Sequence, residues 1–413
     1  MDIATNALRR LPGTRFEGSD AARDFIARVE AFIETELTPL AERHGVTHES
    51  GAERPILEQV WKRSRELGFY GFTLPKNLGG AGFSLLDHAL VKEAIYASGT
   101  PFAPHVLGEL SGPPRVGALV KQATDDQMER FILPVARAEK AICFAITEAE
   151  AGSDAGSLQT SAIADGGEWV LNGTKRFISG SPFCDLAVVI ASTSETPGVR
   201  ETTAFFVERD RPGFRVESGY KTMAGQTSTG NIVLTDCRIP AANQIGERGR
   251  GLAMALGRIT INRLLHCPAM LGLARLALQD AIAHATRRRQ FGQAIGGFQA
   301  VQHMLADMAT ELAAARALML SVARTLDAGG EARAESSMAK LFCSETAFRI
   351  ADRAVQVLGG EGIVQGSRVE FLFRMLRMYR VVTGTSEIQR NTIAVDLLGD
   401  AISRKPTDNR RQA

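Results

Sequence analysis

Apolar positions change their spacing twice along this chain. In the first third, Phe25, Ile26, Val29, Phe32, Ile33 and Leu37 recur at three- and four-residue steps, which puts them on one helical face. Leu78-Gly79-Gly80-Ala81-Gly82 interrupts the pattern as a loop, and residues 84–97 return to helix. Residues 98–115 are rich in proline and glycine, so no continuous helix is expected there. From about residue 140 the runs become short and β-branched or aromatic: Trp169-Val170-Leu171, then 186–190, 203–207, 214–216 and 231–234. Gly, Pro and Asn punctuate them, which predicts a compact antiparallel β domain ending near Ile239-Pro240. Beyond Gly251 helical spacing returns. Val301, Met304, Leu305, Met308, Leu312, Ala315, Met319 and Val322 form one long apolar stripe, suited to a bundle of antiparallel helices. The expected fold is mainly α with a central antiparallel β domain. Its parts are an N-terminal helical domain (1–139), the β domain (140–249), a C-terminal four-helix bundle (250–402) and a polar tail (403–413).

The 413 residues suffice for two or three cores, and 45% hydrophobic with 23% charged residues is the balance of a soluble globular chain. A formal net charge of +2 offers no electrostatic case for nucleic acid or a membrane surface as a partner. No apolar run approaches membrane-spanning length, and the N-terminus lacks a secretory stretch. Cys143, Cys184, Cys237, Cys267 and Cys343 are odd in number and widely spaced, which reads as reduced thiols in a cytoplasmic protein. No metal-ligand spacing occurs, so no metal is expected. No G-x-G-x-x-G follows a strand, which argues against a Rossmann site.

Five segments, in order over residues 147–390, carry the chemistry. They are Thr147-Glu148-Ala149-Glu150-Ala151-Gly152-Ser153-Asp154; Arg288-Arg289-Gln290-Phe291-Gly292; Phe298-Gln299-Ala300-Val301-Gln302 with Leu305-Ala306-Asp307-Met308; Gln356-Val357-Leu358-Gly359-Gly360-Glu361-Gly362; and Gly384-Thr385-Ser386-Glu387-Ile388-Gln389-Arg390. Together they resemble the motifs of acyl-CoA dehydrogenases. The resemblance implies FAD as cofactor, an acyl-CoA or carrier-bound acyl substrate, an electron-transfer flavoprotein as electron partner, and a tetramer packed through the C-terminal bundle.

An isoalloxazine ring needs donors near N1/O2 and a donor or hydroxyl near N5. The resemblance carries these roles to Thr147, Gly152 and Ser153, and to Phe177 and Ser179 on an expected strand, with Phe177 where the family often has Trp. It assigns the rest of FAD to Arg288, Phe291, Gln356, Gly359 and Gly360, with the adenosine half against a neighbouring subunit. Thr385 and Glu387 complete the set. Arg288 can pair with a pyrophosphate, and a Gly pair permits close backbone approach.

One position departs from that chemistry. Where most of the family has a glutamate that removes the substrate α-proton, this chain has Thr383, whose hydroxyl is no base near neutral pH. The alternative family position, before Arg263, is Asn262, an amide without basicity. Arg263 remains to hydrogen-bond the pantetheine arm or the thioester. A relocated base is one explanation, with Glu109 and His105 as candidates. Asp87 and Glu93 read more simply as solvent-facing helix residues. Three other readings stand beside it: an acyl-CoA lyase of the desulfinase type, a flavin-dependent hydroxylase, and a catalytically silent subunit of a heterotetramer.

Overall fold

The computed structural model describes residues 16–112, 119–196, 200–257 and 259–399. The end of the 98–115 loop and the 403–413 tail lie outside the described residues. The described chain forms two compact units, one over 18–257 and the other over 259–399 with 16–17.

In the first unit, helix α1 (Asp20–Phe32) starts at Ser19, whose hydroxyl accepts the Ala22 N–H at 3.1 Å. It buries Phe25, Val29 and Phe32, and Phe25 meets Phe69 edge-on with ring centroids 5.1 Å apart. A π-helical turn at Ile33–Leu37 follows; the extra residue per turn keeps Ile33 and Leu37 buried. Helices α2 (Thr38–His44), α3 (Arg54–Glu66) and α4 (Leu85–Ala97) complete the layer. The structure corrects one expectation for α4. Eleven of its thirteen residues are buried, Asp87 and Glu93 among them. Asp87 accepts the Ser19 N–H and hydroxyl at 2.8 and 2.9 Å, so it anchors the start of α1 rather than facing solvent. Within 98–112 the only helix is the single turn Ala103–Val106, consistent with the prolines and glycines there.

Eight strands follow: β1 (Ile142–Ala145), β2 (Ser161–Asp165), β3 (Glu168–Ser179), β4 (Leu186–Ser192), β5 (Thr202–Glu208), β6 (Phe214–Tyr220), β7 (Thr229–Pro240) and β8 (Gln244–Ile245). They pair in the order β6-β7-β3-β2-β4-β5-β8, with β1 also on β4. The sheet is not wholly antiparallel: β1 runs parallel to β4, as does the single β2–β4 bridge. Strand β4 reads as an uninterrupted apolar run because both its faces are covered. Leu186, Val188 and Ile190 join Leu74, Phe131 and Phe206 in one core, while Ala187, Val189 and Ala191 join Trp169, Leu171, Ile232 and Phe205 in another. The first core is shared between the sheet and the helical segment before it. Arg54 of α3 adds a polar tie to the same sheet, donating to Asp185 at 2.8 and 2.9 Å and to Phe183 O at 2.9 Å.

The second unit is helical: α5 (Gly251–Gly257) closes the first unit, then α6 (Ile259–Arg287), α7 (Gln299–Asp327), α8 (Arg333–Leu358), α9 (Arg368–Met378) and α10 (Ser386–Leu398) pack together. The stripe expected on α7 buries Met308, Leu312, Ala315, Met319 and Val322. All five cysteines are free and buried. The helical–β–helical order is the one the sequence predicts.

The Phe131–Phe206 stack, with centroids 4.5 Å apart, sits at the middle of the core shared by sheet and helices. Phe206→Ala is expected to cost about 3–5 kcal/mol, read as a shift in the denaturant midpoint. A shift under about 1 kcal/mol would mean that the shared core is not what holds this unit together.

Candidate active site

Five non-glycine residues among those described adopt positive φ, and three of them, Phe177, Phe291 and Thr383, are candidate site positions read from the sequence. A bulky or β-branched residue in that region is a sterically disfavoured choice that the surroundings must enforce. The enforcing contacts can be named.

In the β unit, the β3–β7 ladder slips between Lys175 and Ile178, leaving Arg176 and Phe177 in a bulge. The bulge re-aims the side chain: Phe177 is 52% exposed, at φ 57°, with its ring 4.9 Å from Tyr220. Freed from the ladder, Arg176 N–H donates to Thr147 O at 2.7 Å, which ties the first motif to the bulge. Beneath that tie lies a buried ion pair. Lys175 Nζ donates to Glu148 at 2.6 Å and to Ile146 O at 3.2 Å, and Glu148 also accepts the Gln159 and Thr160 N–H groups at 2.6 and 3.0 Å. Burial works to raise the Glu148 carboxyl, but Lys175, Thr160 and Gln159 outweigh it and hold it below the ordinary carboxylate value. Burial is the main force lowering Lys175. Thr147, Gly152, Ser153, Phe177 and Ser179 are thus carried on one braced segment, with Gly152, Ser153, Phe177 and Ser179 exposed.

In the helical unit the motif residues form two groups. Arg288 follows the end of α6, and Phe291 caps a short hairpin (Arg289–Gln290 with Gln293–Ala294) where it is 93% exposed. Gln356 lies on the last turn of α8, and Gly359 ends that helix at φ 59°, ψ −130°, a conformation open only to glycine. Nδ1 of buried His284 lies 3.4 Å from the Glu361 carboxylate, which brings these two motifs side by side. A side chain at Gly152, Gly359 or Gly360 would meet no atom of the chain within 4 Å. Those glycines border open space.

The second group lies at the other end of α6, about 30 Å away at 1.5 Å per residue. Here Thr383 Oγ1 is 2.9 Å from His266 Nε2. His266 sits one helical turn beyond Asn262 and three residues beyond Arg263, so all three share a face of α6. Thr383, at φ 59°, is held by its neighbours' backbone. Lys340 Nζ, fully buried on α8, donates to Tyr379 O and Gly384 O at 2.8 Å each. Gln389 Nε2 adds bonds to Thr383 O at 3.3 Å and to Gly384 O at 2.9 Å. Burial pushes the Lys340 ammonium down to about 8, so it stays charged at neutral pH. Thr385 caps α10, its hydroxyl accepting the Ile388 N–H at 3.3 Å, and Glu387 is exposed in the first turn. Arg263 Nη1 donates to Ser337 Oγ at 2.8 Å while its buried Nε has no partner.

The two bases proposed from sequence belong to the first unit and are occupied there. His105 Nδ1 accepts the Trp61 indole N–H at 3.2 Å, and burial pushes the imidazole down to about 3, which makes it a weak base. Glu109 is paired with Lys92 and accepts the Tyr96 hydroxyl at 2.6 Å. Sequence reasoning missed His266 and Lys340. His266 had a signal, since i, i+4 spacing from Asn262 puts it on the face already under suspicion; Lys340 had none.

Three family models cover nearly the whole described chain: the acyl-CoA dehydrogenase N-terminal domain over 19–139, middle domain over 143–237 and C-terminal domain over 249–398. The chain belongs to the acyl-CoA dehydrogenase family. It is 35% identical over 371 residues to the caffeyl-CoA reductase–Etf complex subunit CarC of Acetobacterium woodii, covering 89% of this chain and 95% of that one. Butyryl-CoA dehydrogenase from Megasphaera elsdenii superposes with a TM-score of 0.84 at 28% identity, covering 93% of this chain and all of that one. Glutaryl-CoA dehydrogenase from Mycobacterium smegmatis, solved in complex with FADH2, superposes at 0.83 with 28% identity, covering 94% and 96%. The fold read from the sequence is that of this family.

Glu148→Ala leaves Lys175 buried and unpaired, with an expected cost of about 3–5 kcal/mol. Because the folded-state value of Glu148 is lowered from 4.5, its contribution is full above that pH and is lost as pH falls through the folded value. Denaturation at a series of pH values from 7 down to about 3 should therefore show the gap between wild type and variant narrowing toward acid. A gap independent of pH would remove the ion pair from this role.

Proposed function

We propose that this chain is an FAD-dependent oxidoreductase of CoA thioesters in which Thr383 and His266 together replace the family's glutamate base. The observation that carries the reading is the 2.9 Å contact between Thr383 Oγ1 and His266 Nε2. A threonine hydroxyl alone cannot take a proton near neutral pH, but a hydroxyl bonded to an imidazole can pass one on. As the α-carbon–hydrogen bond breaks, the proton moves to Thr383 Oγ1 and the hydroxyl proton moves to His266 Nε2. The electron pair left behind becomes the Cα–Cβ double bond as the β-hydrogen departs with its own pair. FAD supplies the acceptor for that hydride, or its donor in the reverse direction. In the reverse direction, that of a reductase, the same two side chains deliver a proton to Cα.

Thr147, Gly152, Ser153, Phe177, Ser179, Thr385 and Glu387 would hold the ring portion of FAD, and Arg288, Phe291, Gln356, Gly359 and Gly360 the remainder. Open space above Gly152, Gly359 and Gly360, and the outward rings of Phe177 and Phe291, suit that assignment. Among the described residues no helix is long and apolar enough to cross a membrane. A cytoplasmic location and an electron-transfer flavoprotein as electron partner belong to this reading, the latter supported by the Etf complex of the Acetobacterium relative. So does a homotetramer, for which Val395, Leu397 and Leu398, all more than half exposed on α10, offer apolar surface.

Exchange of the α-hydrogen of butyryl-CoA in deuterium oxide isolates proton transfer from electron transfer. His266→Ala and Thr383→Val should each slow it by ~10²–10⁴-fold, the usual contribution of a positioned base, with the flavin spectrum unchanged. Exchange at the wild-type rate in His266→Ala would end the proposal and return the lyase, hydroxylase and silent-subunit readings to the front.

A further inference from the structure

Arg263 is 7% exposed, yet no carboxylate pairs with it among the described residues. Among the described residues its side chain makes one bond, from Nη1 to the neutral Ser337 hydroxyl, and its buried Nε has none. Burial, then the nearby Arg333, lower its affinity for its proton. Lys340 adds a second buried cation close by. The carboxylates in reach of this group are committed or outside it: Glu345 is taken by the Ser386 hydroxyl at 2.6 Å and Arg380 at 2.9 Å, and Glu387 is exposed at the start of α10. A buried guanidinium costs several kilocalories per mole to desolvate unless an anion answers it, and a native chain keeps such a group for a reason. In this chain the position that would supply the anion is Thr383. Arg263 Nη2 lies 3.9 Å from the point where a Cβ on Gly384 would stand, beside that threonine.

We propose that Arg263 receives a carboxylate carried by the acyl chain itself, so that the preferred substrate is the CoA thioester of a short dicarboxylic acid. The inference rests on the reading that Thr383 and His266 face the substrate α-carbon. Arg263 and His266 are three residues apart on one helical face, about 5–6 Å between Cβ atoms, which sets the reach. A carboxylate two or three bonds beyond Cα, as in succinyl or glutaryl chains, spans that gap. It also answers an electrostatic difficulty of the relay. A proton arriving at His266 adds positive charge to a cluster that already holds Arg263 and Lys340, and a substrate anion at Arg263 offsets it. The negative charge lost from residue 383 is thereby returned by the substrate, and a monocarboxylic acyl chain of the same length leaves Arg263 unanswered. Bidentate pairing with a guanidinium gives the discrimination its geometric basis.

The test is binding of succinyl-CoA against butyryl-CoA to the FAD-loaded full chain, followed by calorimetry, so that turnover is not needed. Succinyl-CoA should bind about tenfold tighter or more, the scale of one charge-assisted hydrogen bond. Arg263→Gln should erase the difference. Should that variant fail to fold, Thr383→Glu serves instead: its carboxylate answers Arg263 from within and should abolish or reverse the preference. Equal binding of the two thioesters to the wild type overturns the inference, as does a succinyl preference that survives in either variant. If neither thioester binds, the proposed function fails with it; if butyryl-CoA binds and shows no disadvantage, only the acidic-substrate inference falls.

Discussion

The buried ammonium of Lys340 holds two backbone carbonyls, Tyr379 O and Gly384 O, and much of the site follows from that pair of bonds. A turn that leaves α9 and enters α10 within seven residues has carbonyls facing inward that no helix satisfies. An ammonium supplies donors to both at once, which a hydroxyl cannot. With those ends fixed, the last of the four residues between them, Thr383, stands in the left-handed region at φ 59° despite its β-branch. The hydroxyl is thereby delivered to His266 rather than left to rotate in solvent. Burial of the lysine carries a cost, visible in an ammonium pushed down to about 8, and the bonds to the two carbonyls offset part of it.

The β unit uses the same device with a different partner. Lys175 is also fully buried, and it ties Glu148 and the carbonyl of Ile146 to the strand that carries Phe177. There the cation is answered by a carboxylate, and the loop of the first motif is braced from below while Gly152 and Ser153 stay exposed. In both units a conformationally disfavoured residue is held at a motif position by a buried lysine one or two contacts away. Backbone strain at these positions, on the order of 1–3 kcal/mol each, is sustained because the surroundings leave no relaxed alternative.

Charge is the unusual feature of this site. A threonine at position 383 supplies neither the base nor the anion that the glutamate implied by the family resemblance would place near Arg263 and Lys340. His266, bonded to Thr383 at 2.9 Å, is the group that takes over the base in the function proposed above. Among the described residues no carboxylate pairs with Arg263, which is buried with a neutral partner, and it is on this that the proposed acidic substrate rests.

Periodicity along the chain was enough to determine the order of helices and strands, because burying one face of a helix or both faces of β4 imposes a spacing that local sequence must obey. The motif segments likewise marked the family, and that neither Thr383 nor Asn262 carries a basic side chain was legible from residue type alone. What the sequence left open were meetings between distant residues. Thr383 and His266 lie 117 positions apart and Lys340 lies 44 from Gly384, and no local pattern records such a contact. The burial of Asp87 and Glu93 on a helix without a polar face, and the occupation of His105 and Glu109 by Trp61, Lys92 and Tyr96, were settled in the same way. A side chain's chemistry depends on who its neighbours are and on whether water reaches it, and packing alone decides both.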